Sequence, residues 1–129
     1  MSLRRRSFVA LAAVSLLVAT ILGAYASHGM HEASAASVEA VRTAVAFQFY
    51  HGLGLLAVAL LEERLATRWV AAAGWLFVVG TVLFCGAIYV SRLAGFEAVG
   101  AVAPFGGSAF MAGWAALAVA AIISGRRVS

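Results

Sequence analysis

Two polar side chains lie inside a long apolar run. His51 and Gln48 are three residues apart, so a helix carries them on one face. Gln48 is the only Gln in the chain. If that helix begins near residue 43, His51 is about nine residues in, roughly 13 Å from its start at about 1.5 Å per residue. Ionisable side chains at mid-membrane depth are costly and by default mark a functional site. The chemistry open to such a pair is the binding of a ligand, a proton or a cofactor. The plainer alternative is a neutral His and a Gln that hydrogen-bond between helices and hold them together.

Other residues offer weaker chemistry. His28 and His31 stand three apart with Glu32 beside them. They suggest a metal pair only faintly, and His28 is equally suited to close a helix C-terminus. Thr81, Cys85 and Tyr89 form a polar stripe at four-residue spacing. Cys85 is the single cysteine, so no intrachain disulfide exists, and its apolar neighbours predict an inert thiol. Phe105-Gly106-Gly107-Ser108 follows Pro104 at a helix start. Its N–H groups, uncovered by side chains, could accept an anionic or carbonyl group, or the two glycines could simply let helices approach closely.

The elements that position these residues follow from composition. Of 129 residues, 64% are hydrophobic and 11% charged, against about 45–50% and about 25% in soluble domains. That excludes an ordinary soluble globule and disorder. All nine basic residues are Arg in small groups, which reads as membrane topology and excludes a nucleic-acid partner. A spanning helix needs about 20 apolar residues. Charges divide the chain into four such windows, giving spans at about 7–27, 43–61, 69–91 and 105–124. The expected fold is an all-α membrane protein of one domain over 1–129, four antiparallel transmembrane helices with both termini cytoplasmic. With the N-terminus inside, seven Arg lie on the inner side and only Arg42 and Arg92 on the outer.

Arg4-Arg5-Arg6, an apolar run and Ala24-Tyr25-Ala26 also suit a cleaved secretory signal. The 17-residue run Phe8–Ala24 is long for that purpose, and a retained helix is the expectation. Small residues should pack the bundle. Ser15, Ala19, Gly23 and Ser27 give helix 1 one small face, and Ala112, Ala116 and Ala120 give another to helix 4. Either face could instead pair two copies. Val38, Val41 and Val45 share a helical face, so the first outer connection is expected as a short helix or an extension of helix 2. His28, Tyr89 and Pro104–Ser108 all fall toward the outer side, with Gln48 and His51 below them. A polar cavity opening outward is the expected site.

Four stretches together resemble a known family. Gly23-Ala24-Tyr25-Ala26-Ser27-His28-Gly29 resembles a GAxxAHG signature. Phe47-Gln48-Phe49-Tyr50-His51-Gly52-Leu53 resembles a YxxxHxLAL helix, and Leu83-Phe84-Cys85-Gly86-Ala87-Ile88-Tyr89 resembles LFSGSLY. Ala103-Pro104-Phe105-Gly106-Gly107-Ser108-Ala109-Phe110 with Gly113-Trp114 resembles TPIGGxxFxxGW. These are the motifs of the YgdD-like small inner-membrane proteins, a family of unknown function with a mitochondrial relative in animals. Ser27, Gly52, Cys85 and Ala103 depart from the pattern by small-for-small changes, which leave no hydroxyl at 85 or just before Pro104. The resemblance implies that helix 1 is retained. It also implies that His28, His51, Tyr89, Pro104, Gly106, Gly107 and Trp114 belong to the family pattern. It implies no reaction.

Three classes of function remain open. The first is a non-enzymatic protein of the bacterial inner membrane that packs against others or binds a lipid or hydrophobic ligand near His51. It is favoured because no acid pair or nucleophile–base set is present. The second is a small transporter or channel using His51, which lacks the helix-1 carboxylate of small multidrug exporters. The third is a haem-, quinone- or metal-bearing subunit. For that class His28 and His51 are mismatched in depth by roughly a dozen Å. The expected ligand-binding residues are Gln48, His51, His28, Tyr89, Gly106, Gly107 and Ser108, with no catalytic residue, metal or cofactor. The expected partners are the lipid bilayer and a second copy or a membrane complex.

Overall fold

In lipid every backbone N–H and C=O must find a partner within the protein, and a helix achieves this within one segment. The computed structural model of the chain describes residues 1–65 and 68–128, with side chains up to Ser124. Helix α1 spans Leu3–His28 and α2 spans Ala35–Leu65. Helix α3 runs over Arg68–Leu93. It is α-helical at Arg68–Gly80, π-helical at Thr81–Gly86 and α-helical again at Ala87–Leu93. A 3-10 segment, Glu97–Val102, leads into α4 at Ala103–Val128. No strand occurs among the described residues, and four helical stretches are long and apolar enough to cross a membrane. The fold is an all-helical membrane bundle.

Polar contacts at the two ends set the helix directions. Arg4 Nε donates to Glu62 Oε1 at 2.6 Å, tying the start of α1 to the end of α2. Arg5 pairs with Glu63 at the same level and donates to the Ala59 carbonyl at 2.9 Å. Ser124 Oγ donates to the Leu65 carbonyl at 3.3 Å, bringing the end of α4 to this end of the bundle. At the opposite, distal end, Arg92 Nη1 donates to Ser37 Oγ at 3.3 Å. The connection expected at 62–68 includes residues 66 and 67, which lie outside the described residues.

The first connection resolves as a helical extension. α2 begins at Ala35, and Val41 and Val45 are buried with Val38 against Ala26 and Met30. Gly29, not His28, closes α1, its N–H donating to the Tyr25 carbonyl at 2.7 Å.

The small face of α1 coincides only in part with the one expected from four-residue spacing. The buried positions are Phe8, Ala12, Ala19 and Ala26, while Ser15 and Gly23 are half-buried and Ser27 is exposed. Each four-residue step turns about 40° around a helix, whereas seven residues drift only about 20°. The Ala12, Ala19, Ala26 series therefore stays against α2, and the four-residue ladder drifts off it until Ser27 is exposed.

α1 meets α3 near its start. The Phe8 ring lies over Gly74, and it meets Trp75 edge-on with centroids 5.0 Å apart. Along the α3–α4 seam, Phe77 covers Gly113 and Phe110 covers Gly80.

Candidate functional site

The middle of α2 faces all three other helices, and its polar residues bond to each. Gln48 and His51 are buried, each 5% exposed. Gln48 Nε2 donates to the Ser15 carbonyl at 3.0 Å and to Ser15 Oγ at 3.2 Å, reaching α1. Gln48 Oε1 accepts from the Tyr89 hydroxyl at 2.6 Å, reaching α3. His51 reaches α4, because Trp114 Nε1–H donates to His51 Nε2 at 3.0 Å. The other ring nitrogen, Nδ1, is 2.7 Å from the Phe47 carbonyl.

These partners fix the state of the imidazole. A carbonyl oxygen only accepts and an indole N–H only donates. His51 is therefore the neutral tautomer with the proton on Nδ1, donating to Phe47 O and accepting from Trp114. Its ring stacks on Phe110 with centroids 3.6 Å apart at 9°, and Phe77 meets it edge-on at 5.4 Å. Phe47 and Phe84 stack beside it at 4.9 Å. Both nitrogens are engaged, one ring face is covered by Phe110, and Phe77, Phe47 and Trp114 also border the ring.

The remaining expected site residues do not join this cluster. His28 is exposed at the end of α1. Ser108 is exposed, and its hydroxyl returns to the Pro104 carbonyl of its own helix at 3.1 Å. Gly106 is buried, and a methyl group there would collide with the backbone of Leu83 and Phe84. Gly107 has only the Phe84 ring edge near it, at 4.0 Å from the position of a methyl. Gly106 thus gives α4 its close approach to the π-helical turn, and Gly107 does not. Among the described residues no three His, Cys, Asp or Glu side chains gather.

Tyr89 takes part through its hydroxyl, and Cys85 lies one turn below. Its thiol donates to the Ala44 carbonyl at 3.2 Å. Ser15 and Trp114 complete the network. Ser15 was legible only as a small residue and Trp114 only as part of a motif, since a partner on another helix leaves no trace in spacing.

The polar residues also underlie a groove. Leu11 and Val14 of α1 and Val78 and Val82 of α3 form its sides, and Gln48 and His51 its floor. It holds about 230 Å³. It lies between two helices that touch at Phe8 but diverge beyond it.

A Tyr89→Phe substitution leaves Gln48 Oε1 without its donor. The expected cost is about 1 kcal/mol, the usual net value of one such bond. Cys85, 1% exposed, is a built-in reporter, because a thiol-reactive dye labels it as the bundle opens on heating. An unchanged melting curve would show that the bond contributes nothing.

The chain matches the family model described as "Protein of unknown function (DUF423)" over residues 22–107. It is 37% identical over 117 residues to the UPF0382 membrane protein YwdK of Bacillus subtilis, covering 89% of this chain and 95% of that protein. It is 35% identical over 115 residues to the UPF0382 membrane protein SSP2132 of Staphylococcus saprophyticus, covering 87% and 93%. It is 31% identical over 118 residues to the UPF0382 inner membrane protein YgdD of Escherichia coli, covering 91% and 90%. No solved structure matches. Four spanning-length helices and relatives named as membrane proteins over most of their length lead to one conclusion: the chain belongs to the DUF423 family, as a multi-pass inner-membrane protein of a family for which no activity is named.

Proposed function

We propose that this protein is a non-enzymatic membrane protein that seats a hydrocarbon chain, of a lipid or of a hydrophobic small molecule, in the lateral groove between α1 and α3. The observation that carries this reading is the pairing of an apolar rim with a floor already satisfied. Gln48 and His51 spend their polar atoms on Ser15, Tyr89, Phe47 and Trp114. An occupant therefore has no strong polar partner to find and suits the groove best as plain hydrocarbon, whose transfer from lipid to groove costs little. Both helices that wall the groove have spanning length, so its mouth faces the bilayer. The excess of Arg at the end that carries the termini supports a cytoplasmic side for that end.

The same features weigh against the other classes. A proton path through His51 would need a free ring nitrogen, and both are bonded. An axial haem ligand needs one too. The groove, at about 230 Å³, is also below the roughly 300–1,000 Å³ of cofactor and drug-sized sites.

The test is photolabelling in vesicles with a phospholipid carrying a diazirine in its acyl chain. Labelled peptides are expected to concentrate at Val14, Val78 and Val82. Val82→Trp, which fills the groove from its exposed rim, is expected to reduce that labelling several-fold. Equal labelling of lipid-facing residues away from the groove, such as Leu53 and Met111, with no effect of the Trp, would sink the proposal.

A further inference from the structure

A second cavity, of about 730 Å³, lies at the distal end of the bundle. Its polar lining is Arg92 and Ser91 from the end of α3, Ser37 from the start of α2, and Glu97 from the 3-10 segment; Ile88 and Ala40 line it toward the membrane. The chain is built to bring these groups together. Ala94 N–H and Phe96 N–H both donate back to the Val90 carbonyl, and Gly95 takes φ +83° between them. That turn reverses the chain at once, so Glu97 returns to the cavity that Arg92 faces. Gly100 then packs closely on Ser91, where a methyl group would stand 3.1 Å from Oγ.

The two charges are not spent on each other. The ion pairs among the described residues are Arg4–Glu62 and Arg5–Glu63, at the opposite end. Arg92 gives one N–H to Ser37 Oγ, and its fork of five donors keeps the others. Phe96 and Phe105 flank the 3-10 segment and are 64% and 68% exposed. Large apolar rings so exposed on a membrane protein belong against lipid, which sets the cavity at headgroup level.

We propose that this cavity binds a zwitterionic phosphoethanolamine group, as carried by phosphatidylethanolamine. Arg92 and the hydroxyls of Ser37 and Ser91 take the phosphate, in the geometry guanidinium favours. Glu97 takes the primary ammonium. Ile88 and Ala40 meet the glycerol and first methylenes. The arrangement discriminates by chemistry. An anionic headgroup such as phosphatidylglycerol places no cation on Glu97. A choline headgroup has a cation but no N–H to donate. The site lies apart from the groove over His51, about ten residues or 15 Å further along α3, and stands whether or not that groove holds a chain.

The experiment titrates the full chain in detergent with phosphatidylethanolamine, phosphatidylglycerol and phosphatidylcholine of equal acyl composition and counts bound lipid by native mass spectrometry. Phosphatidylethanolamine is expected to be retained about fivefold over both others, the factor that one exposed charge pair supplies. Glu97→Gln is expected to bring phosphatidylethanolamine down to the level of phosphatidylglycerol. Arg92→Gln is expected to lower retention of both. Arg42→Gln, at the same end but outside the cavity, is expected to leave retention as it was. Displacement of the lipid by soluble glycerophosphoethanolamine supports recognition of the head in free molecules as well as in lipids; no displacement, with the preference intact, assigns the site to the lipid. Equal retention of all three lipids overturns the proposal. So does a preference that survives both cavity substitutions, or one lost equally in Arg42→Gln.

Discussion

Gly106→Ala is expected to destabilise the full chain by about 3 kcal/mol, the upper part of the range for overpacking a dense interior. The methyl group would meet the Phe84 amide nitrogen and Cα and the Leu83 carbonyl carbon. All three are backbone atoms held in the π-helical turn Thr81–Gly86, so no side chain can rotate away. α4 must move off α3 instead, and the Phe110–Gly80 contact one turn on moves with it. Gly107→Ala is the matched control. Its methyl group would come no closer than 4.0 Å to the Phe84 ring. Replacing Gly by Ala in an open helical position gains up to about 1 kcal/mol. Adjacent residues of one motif should therefore shift stability in opposite directions. Dye labelling of Cys85 on heating reads both. If the two substitutions shifted the melting curve alike, close backbone approach at Gly106 would not be what the glycine is for.

That pair also marks where the sequence stopped being informative. Two glycines after a proline fit an anion site and a close helix contact equally well. The decision lies in what faces them, and Leu83 and Phe84 are more than twenty residues earlier. The π-helical turn has the same origin. Its one extra residue per turn is a response to neighbours, and such turns often gather at sites of tight or functional contact. Nothing in Thr81–Gly86 announces it beyond the flanking Gly80 and Gly86. By contrast the four helices were legible, because charge placement and apolar length are properties of single segments. The anomalous burial of Gln48 and His51 was legible for the same reason. Tyr89 was legible as a site residue, but the partners Ser15 and Trp114 were not, since each lies on a different helix. The outward-opening cavity was expected from His28, Tyr89 and Pro104–Ser108 above Gln48 and His51, and none of these residues lines the distal cavity, whose polar groups are Ser37, Ser91, Arg92 and Glu97. Ser37, Ser91 and Arg92 sit on the terminal turns of two different helices, whose meeting leaves no trace in spacing, and a reversal at Gly95 decides where Glu97 goes.

His51→Leu is the other substitution expected to have a large effect, and it separates the two roles a buried histidine can have. If the ring is chiefly a tie between α2 and α4, its removal costs stability. Trp114 Nε1–H loses its acceptor, a loss of about 1–3 kcal/mol for a donor in the membrane interior with no water to replace it. The stacked contact with Phe110 adds about 0.5–1.5 kcal/mol. Together they predict a loss of about 1.5–4.5 kcal/mol. The second substitution in the cycle is Trp114→Phe. It removes the donor, so in the His51→Leu background no N–H is left stranded. The double variant should then be more stable than the sum of the singles predicts, by about 1 kcal/mol, as coupled neighbours are. Simple additivity would mean that the bond between the two rings carries no stability. Labelling of the groove supplies the second axis. With hydrocarbon as the proposed occupant and no free polar atom on His51 to meet it, His51→Leu should retain acyl-chain labelling at Val78 and Val82 at temperatures below its lowered melting point. Loss of that labelling in a folded variant would make His51 part of the recognition itself, and would return the imidazole from structural tie to binding group.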